Sequence, residues 1–281
     1  MSNLLTAEQL DCWHKKGFLH LKNMISVNEL KNYLSVVDKV IERSTEPSDV
    51  QRKIEDSKGA YKILRAIEKT SGIDSLIDHP NIFPIILELM GPYLQVMSTE
   101  LFVRHPDEQH IIRFHTDAGP SMQKILPTST NLPLQFKVQL FLTDLSKPNS
   151  GNFSFFPGTH LKYVSEETPG CFIPEANVLL DQGIFPPDAH QLIAEPGDVV
   201  IFPWSLWHGV SPNLTSTIRK SISLRYGQLW CRPHDYERLS PEILQRLTLR
   251  QRRLFGDLGN YEGYEPSDYY RPKDQLSIMY N

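Results

Sequence analysis

This sequence predicts a mainly β protein with helical flanks, built on a sandwich or barrel of the jelly-roll type. Three observations carry that expectation. After Gly91 the chain breaks into about eight short apolar or alternating segments, separated by Pro, Gly, Asn and Asp. The chain holds 21 Pro and 15 Gly, punctuation that suits many short strands better than a helical bundle. Helical periodicity is confined to the first ninety residues and to a stretch after Ser240. An all-β unit can reach 281 residues as one domain, and no repeat or linker divides this chain. The expected organisation is therefore a single domain over 1–281. A helical part covers about 1–92, a jelly-roll core about 93–230, and a helical or irregular tail 231–281.

The N-terminal elements follow from capping and spacing. Thr6 and Gln9 are placed as a capping box for a helix over Ala7–Lys16, which Gly17 stops. Phe18–Leu21 reads as a short strand. Ser26 and Glu29 form a second capping box. Leu30, Leu34, Val37 and Ile41 then recur at spacings of three and four, so a helix runs over Val27–Arg43. The polar stretch 44–58 reads as a loop, and helices are expected near 59–69 and 80–90. Strands are expected near Leu94–Arg104, His110–His115, Phe136–Asp144, Gly151–Phe156, Gln191–Ala194, Asp198–Phe202, Trp207–Val210 and Arg219–Gln228. Ser240-Pro241-Glu242 supplies an N-cap, a proline at the first helical position and an acid in the first turn, so helix returns there. The Tyr-, Asp- and Pro-rich tail from Gly256 reads as irregular.

Composition excludes several classes. The net charge is −4 with no long block of one sign, which argues against a nucleic-acid partner. No run of 18 apolar residues exists, so no membrane span is expected. The first residues lack a secretory pattern. Cys12, Cys171 and Cys231 are an odd, sparse set without a Cys-x-x-Cys spacing, so neither a disulfide framework nor a structural zinc site is expected. A reducing cytoplasm is the expected compartment.

The chemistry sits in three side chains. In Ile112-Arg113-Phe114-His115-Thr116-Asp117, residues two apart on a strand face the same way, so His115 and Asp117 present a nitrogen and an oxygen to one side. His208 is a third ligand from a neighbouring strand. Two histidines and one carboxylate on one face form the facial triad of non-heme Fe(II) oxygenases. The pair alone is weak evidence, because 10 His and 33 acids in 281 residues give about one such spacing by chance. Indeed a second pair, His105-x-Asp107, is present, but Pro106 between its members suits a turn. The segment Ser211–Ser216 reads as a loop. A hairpin folded about 213–214 would set Arg219 opposite His208, within cross-strand reach. A guanidinium there suits the far carboxylate of a short diacid whose other end chelates the metal.

These residues carry a resemblance to the phytanoyl-CoA dioxygenase family of Fe(II)- and 2-oxoglutarate-dependent oxygenases, from about Leu10 to Tyr226. Gly17-Phe18-Leu19-His20-Leu21 resembles the family's opening before a capped helix. Phe114-His115-Thr116-Asp117 resembles its iron-binding His-x-Asp. Leu142-Thr143-Asp144, followed by Gly151-Asn152 and Pro157-Gly158-Thr159-His160, resembles its central segments. Gly197-Asp198 before His208-Gly209, with Arg219 eleven residues later, resembles the approach to the distal iron histidine and the 2-oxoglutarate arginine.

The resemblance implies a double-stranded β-helix core. It implies iron on His115, Asp117 and His208, and 2-oxoglutarate on Arg219. It sets aside His105-x-Asp107, and it makes His160 part of a structural turn rather than a ligand. Related halogenases replace the carboxylate ligand with a small residue, so Asp117 implies oxygen transfer. The expected reaction is hydroxylation of a small-molecule metabolite, with O2 as co-substrate and 2-oxoglutarate leaving as succinate and CO2.

Other residues are expected near the pocket. Gln139 and Ser221 are placed as cofactor contacts, with Lys137 alternating beside Gln139. Arg104 and Trp204 are placed as substrate contacts, and Arg113 and Arg225 as further candidates for an anionic group. Two alternatives stay open on the residues: a metalloenzyme of the same fold that does not use 2-oxoglutarate, and an inactive relative that only binds a metabolite.

Overall fold

The computed structural model describes residues 4–43, 50–51, 60–107, 111–117, 133–162, 173–257 and 274–281. Cys171, most of the loop expected at 44–58 and residues 258–273 of the C-terminal tail lie outside the described residues, as does His110 at the start of one expected strand.

Helix α1 (Ala7–Lys16) starts at the expected capping box. The Thr6 hydroxyl accepts from the Gln9 N–H while the Gln9 side chain accepts from the Thr6 N–H. It ends at Gly17, whose φ of 80° suits a residue without Cβ. A Cβ there would also lie 2.3 Å from His160 Nδ1. His160 thus packs against this cap as a structural residue. Strand β1 (Leu19–Leu21) leads to α2 (Val27–Arg43), where Ser26 and Glu29 cap reciprocally. Strands β2 (Val50–Gln51) and β3 (Ala60–Ile63) precede the short α3 (Ala66–Lys69) and α4 (Phe83–Met90).

The expected helix near 59–69 is therefore wrong in its first half. Residues Ala60–Ile63 pair instead with the long strand β4 (Leu94–Arg104), setting Ala60 opposite Arg104 and Ile63 opposite Leu101. The exposed edge of an eleven-residue strand outweighs the weak helical preference of four residues.

The core strands are β5 (Ile112–His115), β6 (Gln135–Phe141), β7 (Phe153–Phe155), β8 (His190–Gln191), β9 (Val199–Pro203), β10 (His208–Val210) and β11 (Arg219–Gln228). They form two antiparallel sheets. The larger has the order β1-β9-β6-β11-β4-β3-β2 and the smaller β5-β10-β7-β8. Seven of the eight expected strands are found with ends shifted by a few residues; the one expected at Gln191–Ala194 contributes only Gln191 to β8, and its Ala194 forms an isolated bridge with Leu145 instead.

Alternation sorts their side chains. Val138, Leu140, Ile201, Ile222, Leu224 and Tyr226 face the N-terminal and C-terminal helices in the main apolar core. The intervening residues face the second sheet, where Phe141, Phe153, Phe155, Val200 and Phe202 pack together. Burial of each such phenyl contributes about 1.5–3 kcal/mol. The same inner face carries the polar row Arg219, Ser221, Ser223 and Arg225 of β11, all buried.

Helix α5 (Pro174–Asp181) was not expected, because it is short and only weakly amphipathic. Helices α6 (Pro241–Arg246) and α7 (Leu249–Leu254) follow the Ser240 cap, and a last helix spans Gln275–Tyr280. Among the described residues, no helix is long and apolar enough to cross a membrane.

The hairpin expected between His208 and Arg219 does not form. Strand β10 lies in the small sheet between β5 and β7, whereas β11 lies in the large sheet between β4 and β6. Arg219 is opposite Arg104, not His208. The loop crosses between sheets because Asn213, fully buried, ties it down. Its backbone bridges Asp107, and its side-chain amide donates to the Arg104 and Thr217 carbonyls.

Candidate metal centre

His115 and His208 are cross-strand partners on β5 and β10, with ring centroids 4.4 Å apart. Each ring is oriented by its own chain. His115 Nδ1 lies 2.8 Å from the Arg113 carbonyl and His208 Nδ1 lies 2.9 Å from the Leu206 carbonyl. A carbonyl accepts only, so the proton sits on Nδ1 and the lone pair on Nε2 in both rings. Burial, followed by the neighbouring His115, pushes the His208 pKa down to about 3. The ring is thus neutral, as ligation requires.

Asp117 follows β5 and is held at its backbone, its N–H donating to the Trp204 carbonyl at 2.9 Å. One carboxylate oxygen, Oδ1, accepts from Lys137 Nζ at 2.8 Å and faces Arg225 Nη2 at 3.2 Å. The other, Oδ2, is buried without a hydrogen-bond partner and lies 3.8 Å from His208 Nε2. Burial raises a carboxyl's pKa, but Arg225 and Lys137 outweigh it here and hold Asp117 well below the usual carboxylate range. The ligand atoms of His115, Asp117 and His208 all lie within 4.8 Å of one another. An unpartnered, ionised oxygen beside two lone-pair nitrogens fits a divalent cation. Among the described residues, this is the one such cluster of three His, Cys, Asp or Glu. The competing pair is not part of it: the His105 ring lies tilted beside Tyr61, with centroids 6.1 Å apart, and the Asp107 backbone bridges Asn213.

Of the other expected residues, Arg219, Arg104, Gln139 and Ser221 lie along the inner face of the large sheet. Arg219 is fully buried, with Nε and Nη2 lacking hydrogen-bond partners and the guanidinium over the Phe141 ring at 5.7 Å. Burial and then Arg104 push Arg219 down to about 9, so it stays charged at neutral pH. Arg104, expected as a substrate contact, is its cross-strand partner and equally buried. Gln139 donates to the Ser221 hydroxyl at 2.8 Å, between the arginines and the metal ligands. Trp204 is buried, and its established link to the site is the carbonyl that holds the Asp117 backbone. Arg113 is turned away, paired with Asp181 at 2.7 Å on the surface.

Two features escaped sequence reasoning. Asn177 on α5 grips the outer edge of β5. Its Oδ1 accepts from the Phe114 N–H, and its Nδ2 donates to the Phe114 carbonyl. The amide thereby substitutes for a neighbouring strand at the element that carries His115; an Asn in an apolar stretch was the sole signal. Lys62, Glu100, Lys137 and Arg225 also form a charged inner wall beside Asp117, with Lys62 Nζ 3.1 Å from Glu100 Oε1. Burial raises the Glu100 pKa, but Lys137 and Lys62 reverse this and bring it below its ordinary value.

Gly209 shows how tightly the two histidine strands approach. A Cβ there would lie 2.4 Å from the Ile112 carbonyl oxygen, a backbone atom. Gly209→Ala must push β5 from β10 and move His115 relative to His208. The expected outcome is loss of Co(II) affinity by at least tenfold in a titration, with the melting temperature lowered.

The family model described as "Phytanoyl-CoA dioxygenase (PhyH)" matches residues 13–221. The chain belongs to the phytanoyl-CoA dioxygenase family. As a family member it is 24% identical to the peroxisomal phytanoyl-CoA dioxygenase of Homo sapiens over 260 residues, covering 87% of this chain and 75% of the human protein. It is 22% identical to ectoine dioxygenase of Bordetella parapertussis, covering 81% of this chain and 77% of that protein.

Among solved structures, SnoK, a non-heme alpha ketoglutarate dependent carbocyclase from nogalamycin biosynthesis, matches with a TM-score of 0.65 at 22% identity. The match covers 87% of this chain and 92% of that one. HygX from Streptomyces hygroscopicus, solved with nickel and 2-oxoglutarate bound, matches with a TM-score of 0.65 at 17% identity, covering 85% and 94%. These likenesses show a shared fold, and the two antiparallel sheets are its jelly-roll core. The family is one of 2-oxoglutarate-dependent dioxygenases, and this member retains a His-Asp-His triad.

Proposed function

We propose that this chain hydroxylates a small-molecule metabolite, using Fe(II) on His115, Asp117 and His208 with 2-oxoglutarate and O2 as co-substrates. The observation that carries the reading is that two sets of unpartnered polar atoms of opposite charge face the interior of one barrel. The triad, with His208 buried and His115 and Asp117 half-buried, has one buried carboxylate oxygen without a partner, and Arg219 has two unpartnered guanidinium nitrogens. When bound, Fe(II), 2-oxoglutarate and O2 supply the oxidising chemistry, with 2-oxoglutarate leaving as succinate and CO2.

The chain supplies the placement. His115, Asp117 and His208 would together hold the metal and would leave coordination positions for small ligands. Arg219 receives the distal carboxylate, which a guanidinium binds through two parallel hydrogen bonds. Its neighbour Arg104 lies on the same inner face, so it serves the co-substrate end rather than the substrate end, and Gln139 with Ser221 lines the path between. Asp117 fills the ligand position that a halide would need, which favours oxygen transfer.

The wall beside the metal favours a polar substrate. Ser98 Oγ, Glu100 Oε2 and Ser223 Oγ are buried without hydrogen-bond partners on adjoining positions of β4 and β11. A hydrocarbon chain packed there would leave them unsatisfied, at about 1–3 kcal/mol each and more for the charged carboxylate.

Arg104→Met is expected to raise the 2-oxoglutarate KM about tenfold while leaving metal affinity unchanged, as measured by succinate release against 2-oxoglutarate concentration. The reading itself is tested by anaerobic titration of the protein with Fe(II) and then 2-oxoglutarate. A visible charge-transfer band on adding 2-oxoglutarate supports it, and iron binding that is indifferent to 2-oxoglutarate overturns it. Products recovered from substrate screening must carry one added oxygen atom; a desaturated or isomerised product would overturn the hydroxylation.

A further inference from the structure

The treatment of Asp117 is unusual in one respect. Two cations converge on a single oxygen of a carboxylate that is also a candidate metal ligand. Lys137 and Arg225 are cross-strand partners on β6 and β11, so their inward side chains arrive side by side. Lys137 Nζ lies 2.8 Å from Oδ1 and Arg225 Nη2 lies 3.2 Å from the same atom. Both side chains are nearly buried, 11% and 9% exposed. Arg225 is held in turn, its Nη1 donating to Gln135 Oε1 at 3.3 Å. The Asp117 backbone is fixed by the Trp204 carbonyl. The carboxylate is therefore held at both ends of its side chain, with Oδ2 alone turned toward His208.

We propose that Lys137 and Arg225 are positioning residues that make Asp117 a one-oxygen metal ligand, bound through Oδ2, by occupying Oδ1. This rests on the metal reading given above. The reason is positional. A carboxylate free to swing can chelate through both oxygens, and it then takes one of the three positions that the facial triad must leave open. Partners of first ligands commonly fix orientation in this way, and their loss typically costs about 10- to 100-fold in metal affinity.

A bland alternative makes the opposite prediction. If the two cations act only as charges, they repel a divalent ion a few ångströms away, and removing one raises metal affinity. The sign of the change separates the two roles. The substitution is also one that the fold can accept. Lys62, Lys137 and Arg225 face Glu100 and Asp117, so deleting one cation leaves two of each sign.

The experiment is a Co(II) titration of the full chain, read by calorimetry and by the visible ligand-field spectrum. It compares wild type with Lys137→Met, Lys137→Gln, Arg225→Met and the conservative Arg225→Lys. The expected result is an affinity loss of about 10- to 100-fold for the two Met variants, with a ligand-field spectrum altered as coordination changes. Arg225→Lys, which keeps a donor, is expected to retain the wild-type spectrum. Lys137→Gln, which keeps a donor without the charge, is expected to fall between. Met variants that bind Co(II) as tightly as wild type or more tightly, with an unchanged spectrum, overturn the inference alone. Wild type that takes up no Co(II) overturns the metal reading, and this inference with it.

Discussion

His208→Ala is expected to abolish both Fe(II)-dependent turnover and tight Co(II) binding. The imidazole is one of three ligands, so its removal must cost more than the roughly 10- to 100-fold lost with an outer partner. It is also neutral in the folded protein, its pKa pushed down to about 3 by burial and then by His115. It therefore offers its lone pair without first releasing a proton. The ring packs against Phe202 and Phe153, with centroids 4.8 and 5.5 Å away, so alanine also leaves a small cavity. His208→Gln fills that space and serves as the control. Both variants are expected to remain folded by circular dichroism while showing no succinate release above background. Turnover at the wild-type rate in either variant would remove His208 from the metal centre.

Arg219→Ala is expected to leave Co(II) binding intact and to raise the 2-oxoglutarate requirement steeply. Truncating one partner of a buried, hydrogen-bonded charge pair costs about 2–5 kcal/mol, which is on the order of 30- to several thousand-fold in affinity. Arg104, opposite Arg219 and equally buried, keeps some positive charge in place, so the lower part of that range is expected. The measurement is the 2-oxoglutarate concentration giving half-maximal succinate release, with Co(II) affinity measured in parallel. An unchanged requirement would remove Arg219 from the co-substrate site. A parallel loss of metal affinity would instead mean that the substitution had disturbed the barrel.

Arg219 also shows where sequence reasoning reaches its limit. Its spacing from His208 and its match to the family pattern placed it near the metal. The geometric route to that placement was nonetheless mistaken, because the two residues lie in different sheets. They share the barrel interior by facing each other's sheets, not by pairing across a hairpin. The His-x-Asp pair was legible for a simpler reason. Two residues apart on a strand means one face, whatever the strand pairs with. The choice between His115 and His105 turned on a proline, also a local signal. Lys137 was seen only as a polar residue alternating on a strand, and Arg225 as one of several strand arginines. That both meet one oxygen of Asp117 depends on the registers of β5, β6 and β11, across 20 and 108 residues of chain.

The sequence by itself determined the fold class, the two capped N-terminal helices, nearly all core strands and the identities of the triad. The elements and the His115–Asp117 pair follow from periodicity, capping or spacing within a few residues, where backbone geometry leaves few options, whereas His208, 91 residues beyond Asp117, was placed by the resemblance to the family pattern. The tertiary structure alone decided that residues 60–63 join the sheet edge, that Asn177 clamps the strand bearing His115, and that Arg104 lies with Arg219. It alone set Lys137 and Arg225 on Asp117. These are contacts between distant segments, and they depend on which sheet each strand enters and in which register, a choice made by burial of the whole apolar surface rather than by any local pattern.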